Sequence, residues 1–350
     1  MTSENAASRA AIWESCEALR SGMDAWRFGS YVLVLLFLKI ASDRAADGRP
    51  LATVPDGSSF ENLASLEVTP DLGARINREI LEPLARANNL SGFPDFSRLD
   101  RRPGGERTER LPGLISLVAG LDFNGGSGEA GGLFSDLLNR FVAASEEKGH
   151  FHTPPELARL VALILCAAMP DPARASAIYD PTCGTGALLL TAAGVAERLS
   201  GTQLLLFGQD KDATAVCLAR MNMLIHGHAK ARIRWGNTLS SPLFLEGRGL
   251  RTFDAIVAHP PFSDSEWSSR FDAAQDRFRR FEGHGLTAAA RGDFAYLLHI
   301  LHSLKPGGQA VCILPMDVLS RGGVEAGIRR SLIADGHISC VIALPEKLFP

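Results

Sequence analysis

A strand that ends in a glycine turn and gives way to a helix constrains this 350-residue chain more than any other stretch of it. The apolar run Ala177–Tyr179 reads as a buried strand. It meets Asp180-Pro181, then a turn carrying Gly184 and Gly186, then the helix-forming run from Ala187 to Arg198. Strand, tight glycine turn and helix open a nucleotide-binding α/β domain, where backbone without a Cβ comes close to a ligand. Two common variants are excluded. The third glycine of the dinucleotide fingerprint is replaced by Leu189, and no Gly-Lys-Ser/Thr follows, so this is not a P-loop. A lone Gly-x-Gly does not establish a cofactor site, and the rest of the chain has to supply the case.

From Ala177 onward, strands and helices alternate at the rhythm of a parallel sheet covered on both faces. Strands are expected at Ala177–Tyr179, Gln203–Gln209, Ala231–Trp235, Ala255–Ala258, Ala310–Pro315 and Cys340–Ala343, with helices over 187–199, 212–226, 293–303 and 323–335. The chain before this reads as helical. Ile12, Trp13, Cys16 and Leu19 recur at helical spacing. Tyr31–Ile40 is a buried helix or strand, and Lys39 with the following Ala-Ser-Asp-Arg favours helix. Ala74–Asn88, Leu114–Leu121 and Leu133–Ala144 are amphipathic helices, and Thr153 with Pro154 starts another from Pro155 to about Cys166. Breaker-rich stretches at Asp100–Arg110 and Asn124–Gly132 are surface loops. Arg101, Arg102, Arg107 and Arg110 in the first suit either solvent or a phosphate backbone. The fold class expected is α/β: an N-terminal helical domain, 1–145, and a Rossmann-like doubly wound domain, 146–350.

The net charge of −3 argues against gripping DNA or a membrane by bulk charge, so a nucleic-acid role needs a local basic strip or a cationic partner. Cys16, Cys166, Cys183, Cys217, Cys312 and Cys340 are scattered without a Cys-x-x-Cys pair, the pattern of reduced thiols in a cytoplasmic protein. The apolar runs Val32–Leu38 and Leu160–Met169 are too short to cross a bilayer, and the start shows no secretory signal.

In an open parallel sheet, ligands bind beyond the carboxyl ends of the strands. The first strand delivers Asp180, Pro181 and the glycine turn. The second places Asp210 at its tip, where a carboxylate can accept from ribose hydroxyls. The fourth runs into His259-Pro260-Pro261-Phe262. Two prolines donate no ladder hydrogen bonds, and the aromatic after them offers a flat face; the bland alternative is a rigid loop with a buried Phe.

These pieces in this order resemble the modification (M) subunit of type I restriction-modification systems, an adenine-N6 DNA methyltransferase that uses S-adenosylmethionine. Leu19-Arg-Ser-Gly-Met-Asp24 and Phe37-Leu-Lys-Ile-Ala-Ser-Asp43 resemble its N-terminal helical domain. Phe151-His-Thr-Pro154 resembles its Phe-Tyr-Thr-Pro, and Asp180-Pro-Thr-Cys-Gly-Thr-Gly186 its glycine motif. Gly208-Gln-Asp210 and Ala219-Arg-Met-Asn222 resemble its second strand and helix, with Asp where Glu is usual. Leu304-Lys-Pro-Gly-Gly308, Leu314-Pro315 and Leu344-Pro-Glu-Lys-Leu-Phe-Pro350 match its later sheet. Two departures stand out. His259 occupies the first place of the family's Asn-Pro-Pro-Phe/Tyr, and the sequence stops where the family continues with another strand and helices, so the methyltransferase domain is expected to lack that end.

The resemblance implies in-line attack of adenine N6 on the sulfonium methyl after the base leaves the stack, with reacting atoms ~3–3.5 Å apart. Phe262 stacks on the base, and the Pro260 carbonyl and residue 259 accept the amino hydrogens; Pro261 belongs to the same motif. Phe151, Thr153, Asp180, Pro181, Gly184, Thr185, Gly186, Asp210 and Asn237 are the implied cofactor residues, Asn237 being equally a turn residue. The implied partners are DNA, a specificity subunit and a restriction subunit, with two modification subunits per complex and no membrane. A neutral histidine accepts one hydrogen bond, but its larger ring, and its charge when protonated, predict weaker catalysis than asparagine gives. The rival readings are a pseudo-methyltransferase that binds S-adenosylmethionine as scaffold or sensor in phage defence, and a glutamine or RNA methyltransferase of the same fold. His299 and His302 are spaced as a metal pair without a nearby carboxylate, His226, His228, His150 and His152 read as loop or cap residues, and Asp293 and Tyr296 fit either the pocket border or the core.

Overall fold

The structure is a computed structural model that describes residues 3–99, 109–123, 127–145, 153–169, 171, 175–269, 271–285, 291–346 and 348. The chain divides into two compact units, Met1–His150 with Ala213–Ala229, and Phe151–Asp212 with Lys230–Pro350. Phe151, His150, His152, Arg101, Arg102 and Arg107 lie outside the described residues.

The first unit is helical: α1 (Ser3–Arg20), α2 (Ala25–Ala46), α3 (Phe60–Ala64), α4 (Leu72–Arg75), α5 (Glu82–Asn88), α6 (Arg110–Ala119) and α7 (Ser127–Ala143). Tyr31–Ile40 is helix, as Lys39 and its neighbours indicate, and it forms the middle of α2. The side chain of Asp24 caps α2 by accepting from the Arg27 N–H at 3.1 Å. A helix apolar all round has to be buried, and α2 is the axis of this core. By length and composition it could cross a membrane, but 83% of that window is buried within the fold. Gly29 lets α7 come close, since a Cβ there would collide with the ring and Cβ of Phe141. Ala74–Asn88 is helical but passes through a π-helical stretch, Ile76–Leu81, between α4 and α5.

The second unit contains α8 (Pro155–Ala168), β1 (Ala177–Asp180), α9 (Ala187–Ser200) and β2 (Leu205–Asp210). The chain then makes α10 (Ala213–Ile225), which packs with α2 and α7 in the helical unit. It continues with β3 (Arg232–Trp235), a hairpin of β4 (Leu245–Glu246) and β5 (Gly249–Leu250), then β6 (Phe253–Ala258), α11 (Asp293–His302), β7 (Leu304–Cys312) and α12 (Gly323–Ala334). The main sheet has five described strands in the order β3-β2-β1-β6-β7, and every pair is parallel. α8 and α9 pack against this sheet, and α11 packs on β7. The architecture is the expected helical segment followed by a Rossmann-like sheet.

Two strand expectations need correction. Cys340–Ala343 forms no strand: Cys340, Val341, Ile342 and Ala343 are exposed, and no described strand lies beyond β7 to pair with them. β-branched character proposes a strand, but only a partner's backbone completes one. β7 also begins at Leu304 rather than Ala310, because it pairs Phe253 with Leu304 and then slips its register to pair Ala255 with Gln309. Gly307, at φ +77°, makes room for the slip.

Candidate active site

The sheet order fixes where a ligand can sit. From β1 the chain moves outward to β2 and β3, then returns to the other side of β1 as β6. The order therefore reverses between β1 and β6, and the crevice beyond their carboxyl ends is the switch point where such folds bind ligands. Ile178 pairs with Ala255 and Tyr179 with Ile256, so the glycine turn and His259–Phe262 leave adjacent strands at the same edge.

The turn needs its glycines. Gly184 and Gly186 have φ of +50° and +78°, and Gly186 is the left-handed N-cap of α9. Nothing lies within 4 Å of the place a Cβ on Gly184 would occupy, which leaves open space over the turn. The Gly186 N–H donates to the Cys183 carbonyl at 2.8 Å, and the Cys183 N–H to the Gln209 carbonyl at 3.1 Å. Beneath the turn, a Cβ on Gly208 would lie 2.8 Å from Cys183 Sγ, so the second strand must be bare at this point.

Two carboxylates frame the turn. Asp180 is buried and accepts from the Thr182 N–H at 2.9 Å. Burial pushes its carboxyl up to about 8, and the nearby Asp210 charge adds to the shift. Asp210 accepts from the Gly184 N–H at 2.8 Å through Oδ2 and from the Asp212 N–H at 2.9 Å through Oδ1. Burial raises its carboxyl too. Trp235, in register with Asp210, is 59% exposed and donates its indole N–H to the Lys211 carbonyl at 3.0 Å.

The segment after β3 is tied to the turn by side chains that sequence reading did not single out. Thr238 donates to the Pro181 carbonyl at 2.6 Å. Gln209, fully buried, donates to the carbonyls of Gly236 and Ser241 and accepts from the Leu243 N–H. Arg280, also fully buried, pairs with Asp276 at 2.8 Å and donates to the carbonyls of Thr238 and Leu239. Asn237 acts in this segment as a turn residue, its Oδ1 accepting from the N–H groups of Leu239 and Ser240.

On the other side of β1, His259 is buried and its Nδ1 lies 2.8 Å from Thr153 Oγ1. Its ring meets that of Phe262 at 5.2 Å between centroids, tilted by 56°. The next residues are clamped. Ser263 has φ +51° and donates its N–H to Asp293, and buried Arg321 joins Asp293 at 2.6 Å, Asp317 at 2.6 Å and the Ser263 hydroxyl at 3.2 Å. Asp264 receives Lys211 Nζ at 3.2 Å and the Tyr296 hydroxyl at 3.5 Å. Asp293 and Tyr296 thus border the loop, and Lys211–Asp264 links the edges of β2 and β6.

His299 and His302 do not form a metal pair. His299 is buried, with Nδ1 3.2 Å from Arg280 Nη1 and Nε2 3.3 Å from the Tyr179 hydroxyl, while His302 Nδ1 meets the Leu298 carbonyl. Burial and the Arg280 charge hold His299 neutral. His226 Nδ1 meets the Asn222 carbonyl at 2.9 Å. Among the described residues no group of His, Cys, Asp and Glu could hold a metal ion.

A family model described as N-6 DNA Methylase matches residues 129–350, and one described as HsdM N-terminal domain matches residues 8–111. The chain is 30% identical, over 63% of its length, to the type I restriction enzyme MjaIX methylase subunit of Methanocaldococcus jannaschii, of which it covers 38%. It is 25% identical, over 97% of its length, to the MpnII methylase subunit of Mycoplasma pneumoniae, of which it covers 73%. It thus spans about two fifths and three quarters of these relatives. The crystal structure of a type I restriction-modification methyltransferase subunit from Streptococcus thermophilus superposes with a TM-score of 0.74 at 25% identity, over 99% of this chain and 82% of that one.

Proposed function

Because this chain belongs to the N-6 DNA methylase family, we propose that it is the modification subunit of a type I-like restriction-modification system, methylating adenine N6 in DNA with a specificity subunit. One observation carries the reading: the glycine turn and the His259–Phe262 segment leave adjacent parallel strands at the same edge, where the strand order of the sheet reverses. The proposed division of labour is a helical domain over 1–145 that meets partner subunits and a catalytic domain over 146–350. The assembly holds two copies of this chain, and DNA reading falls to the specificity subunit, in keeping with the net charge of −3.

The residues present fit S-adenosylmethionine, with bare backbone over open space at Gly184, a buried carboxylate at Asp180 and another at the tip of β2. When bound, this cofactor supplies an electrophilic methyl group whose bond pair returns to sulfur. In this reading Asp180 would hold the methionine ammonium, and the backbone of Pro181, Gly184, Thr185 and Gly186 would hold the methionine end. Asp210, already holding the turn through Gly184, takes ribose hydroxyls with its remaining lone pairs. Asn237, whose Oδ1 holds the turn, would offer its amide nitrogen to the adenine. Phe262 stacks on the flipped target base, and the Pro260 carbonyl and His259 accept the two amino hydrogens, aiming the nitrogen lone pair at the methyl. Pro261 and the Arg321–Asp293 clamp keep that loop from moving.

Sequencing that detects methylated bases in host DNA, with and without the complete complex, tests this. Adenine methylation that depends on the chain and is lost in Phe262→Ala supports it. If only His259→Asn methylates and the natural chain does not, the chain is a pseudo-methyltransferase.

A further inference from the structure

The hydrogen bond between Thr153 and His259 gives Thr153 a different task from cofactor binding. The two residues are 106 positions apart, yet Oγ1 and Nδ1 lie at 2.8 Å. Neither partner has much freedom. Thr153 precedes Pro154 and Pro155 at the start of α8, where Pro154 has φ −51°, so the backbone beneath the hydroxyl is stiff. His259 sits at the end of β6, buried, with Phe262 against its ring. A bond at one nitrogen and a ring contact together fix the imidazole's position and plane.

A neutral imidazole carries one N–H and one lone pair, so the state of Nδ1 dictates that of Nε2. We propose that Thr153 is a positioning residue that accepts from Nδ1–H of His259, so that Nε2, sealed from solvent in this structure, keeps a lone pair for an exocyclic amino group once the target base enters. This rests on the methyltransferase reading above and extends it. Asparagine would offer an amide oxygen from one side chain; here two residues from distant segments supply the same acceptor. The arrangement favours a base with an amino group and disfavours one with a carbonyl at that place, since a carbonyl oxygen would face the Nε2 lone pair without a proton between them. Hypoxanthine, which replaces the adenine amino group by a carbonyl, is therefore rejected.

The tautomer can be read without turnover. In the full chain labelled with ¹⁵N-histidine, the His259 signals are assigned by their loss in His259→Asn. The expected result is a proton on Nδ1 and a bare Nε2 in the natural chain, loss of that preference in Thr153→Val and its return in Thr153→Ser. In the assembled complex, Thr153→Val lowers kcat on DNA by about tenfold to a hundredfold, leaves the Kd for S-adenosylmethionine within about twofold, and Thr153→Ser recovers most of the rate. A melting curve for each variant separates this from loss of fold. A bare Nδ1 in the natural chain, or an unchanged kcat in Thr153→Val, overturns the assignment of Thr153. A natural chain that binds no S-adenosylmethionine while keeping the proton on Nδ1 instead sinks the methyltransferase reading.

Discussion

The buried carboxyl of Asp180 should make cofactor binding release a proton, and the size of the effect follows from its surroundings. Asp180 is 1% exposed, and burial first, then the Asp210 charge, raises its carboxyl to about 8 despite the opposing Thr182 hydrogen bonds. One unit below that value, at pH 7, ~90% of the molecules carry the proton. An ammonium placed beside the group favours the ionised form, so binding expels ~0.9 proton at pH 7 from Asp180; nearer pH 8 the ligand's own amino group takes up a proton on binding and the net release shrinks toward zero. Affinity accordingly rises up to about tenfold per unit as pH climbs toward 7, passes through a maximum near 8 and falls above it as the ligand's amino group loses its charge. Titration calorimetry with S-adenosylmethionine in two buffers of different ionisation enthalpy reads the proton count directly, and Asp180→Asn should abolish the buffer dependence. The same group acts on stability. Its folded value lies above the unfolded one, so between about pH 4 and 8 the native state holds more protons and stability falls as pH rises. Asp180→Asn should flatten that fall. Heats independent of buffer in the natural chain at pH 7, or unchanged proton release in the Asn variant, would refute the argument.

Asp210→Ala removes both the acceptor for the Gly184 N–H and the group proposed for the ribose, and should weaken S-adenosylmethionine by at least about tenfold in calorimetry. Gly186→Ala forces a Cβ onto φ +78°, which costs about 1–2 kcal/mol and should appear as a lowered denaturation midpoint. Arg280→Met strands a buried Asp276 carboxylate, an expected loss of about 3–5 kcal/mol in chemical denaturation, much of it recovered by adding Asp276→Leu. In the helical unit, Gly29→Val drives a branched side chain into Phe141 and should destabilise that unit by at least about 1–3 kcal/mol, read by the loss of its protection in hydrogen exchange.

Much of the fold was legible in the residues themselves. Punctuation is local: Gly184 and Gly186 mark the turn because other residues resist positive φ, and the run from Ala187 continues as helix because nothing interrupts it. Lys39 and its neighbours sufficed to read Tyr31–Ile40 as helix. The strand at Cys340–Ala343 misled because apolar β-branched residues describe a preference, and the ladder that would satisfy it is missing among the described residues. The spacing of His299 and His302 decided nothing by itself, for a related reason. Three positions on a helix say nothing of what faces them, and His299 faces Arg280 and Tyr179. Arg280, one of the largest side chains buried completely, carries no local mark in the sequence that separates it from its arginine neighbours Arg277 and Arg279.

The amino-acid sequence by itself determined the glycine turn, the proline pair after Ala258 and most of the strand–helix alternation, since these follow from backbone preferences over a few residues. Only the tertiary structure decided that β1 lies between β2 and β6, which brings Asp180, Asp210 and His259 to one edge, and that Thr153 reaches His259 across 106 positions. The reason is physical: torsional preferences belong to single residues, whereas strand neighbours and buried polar partners are chosen by closing long loops onto hydrogen bonds that no local segment can make alone.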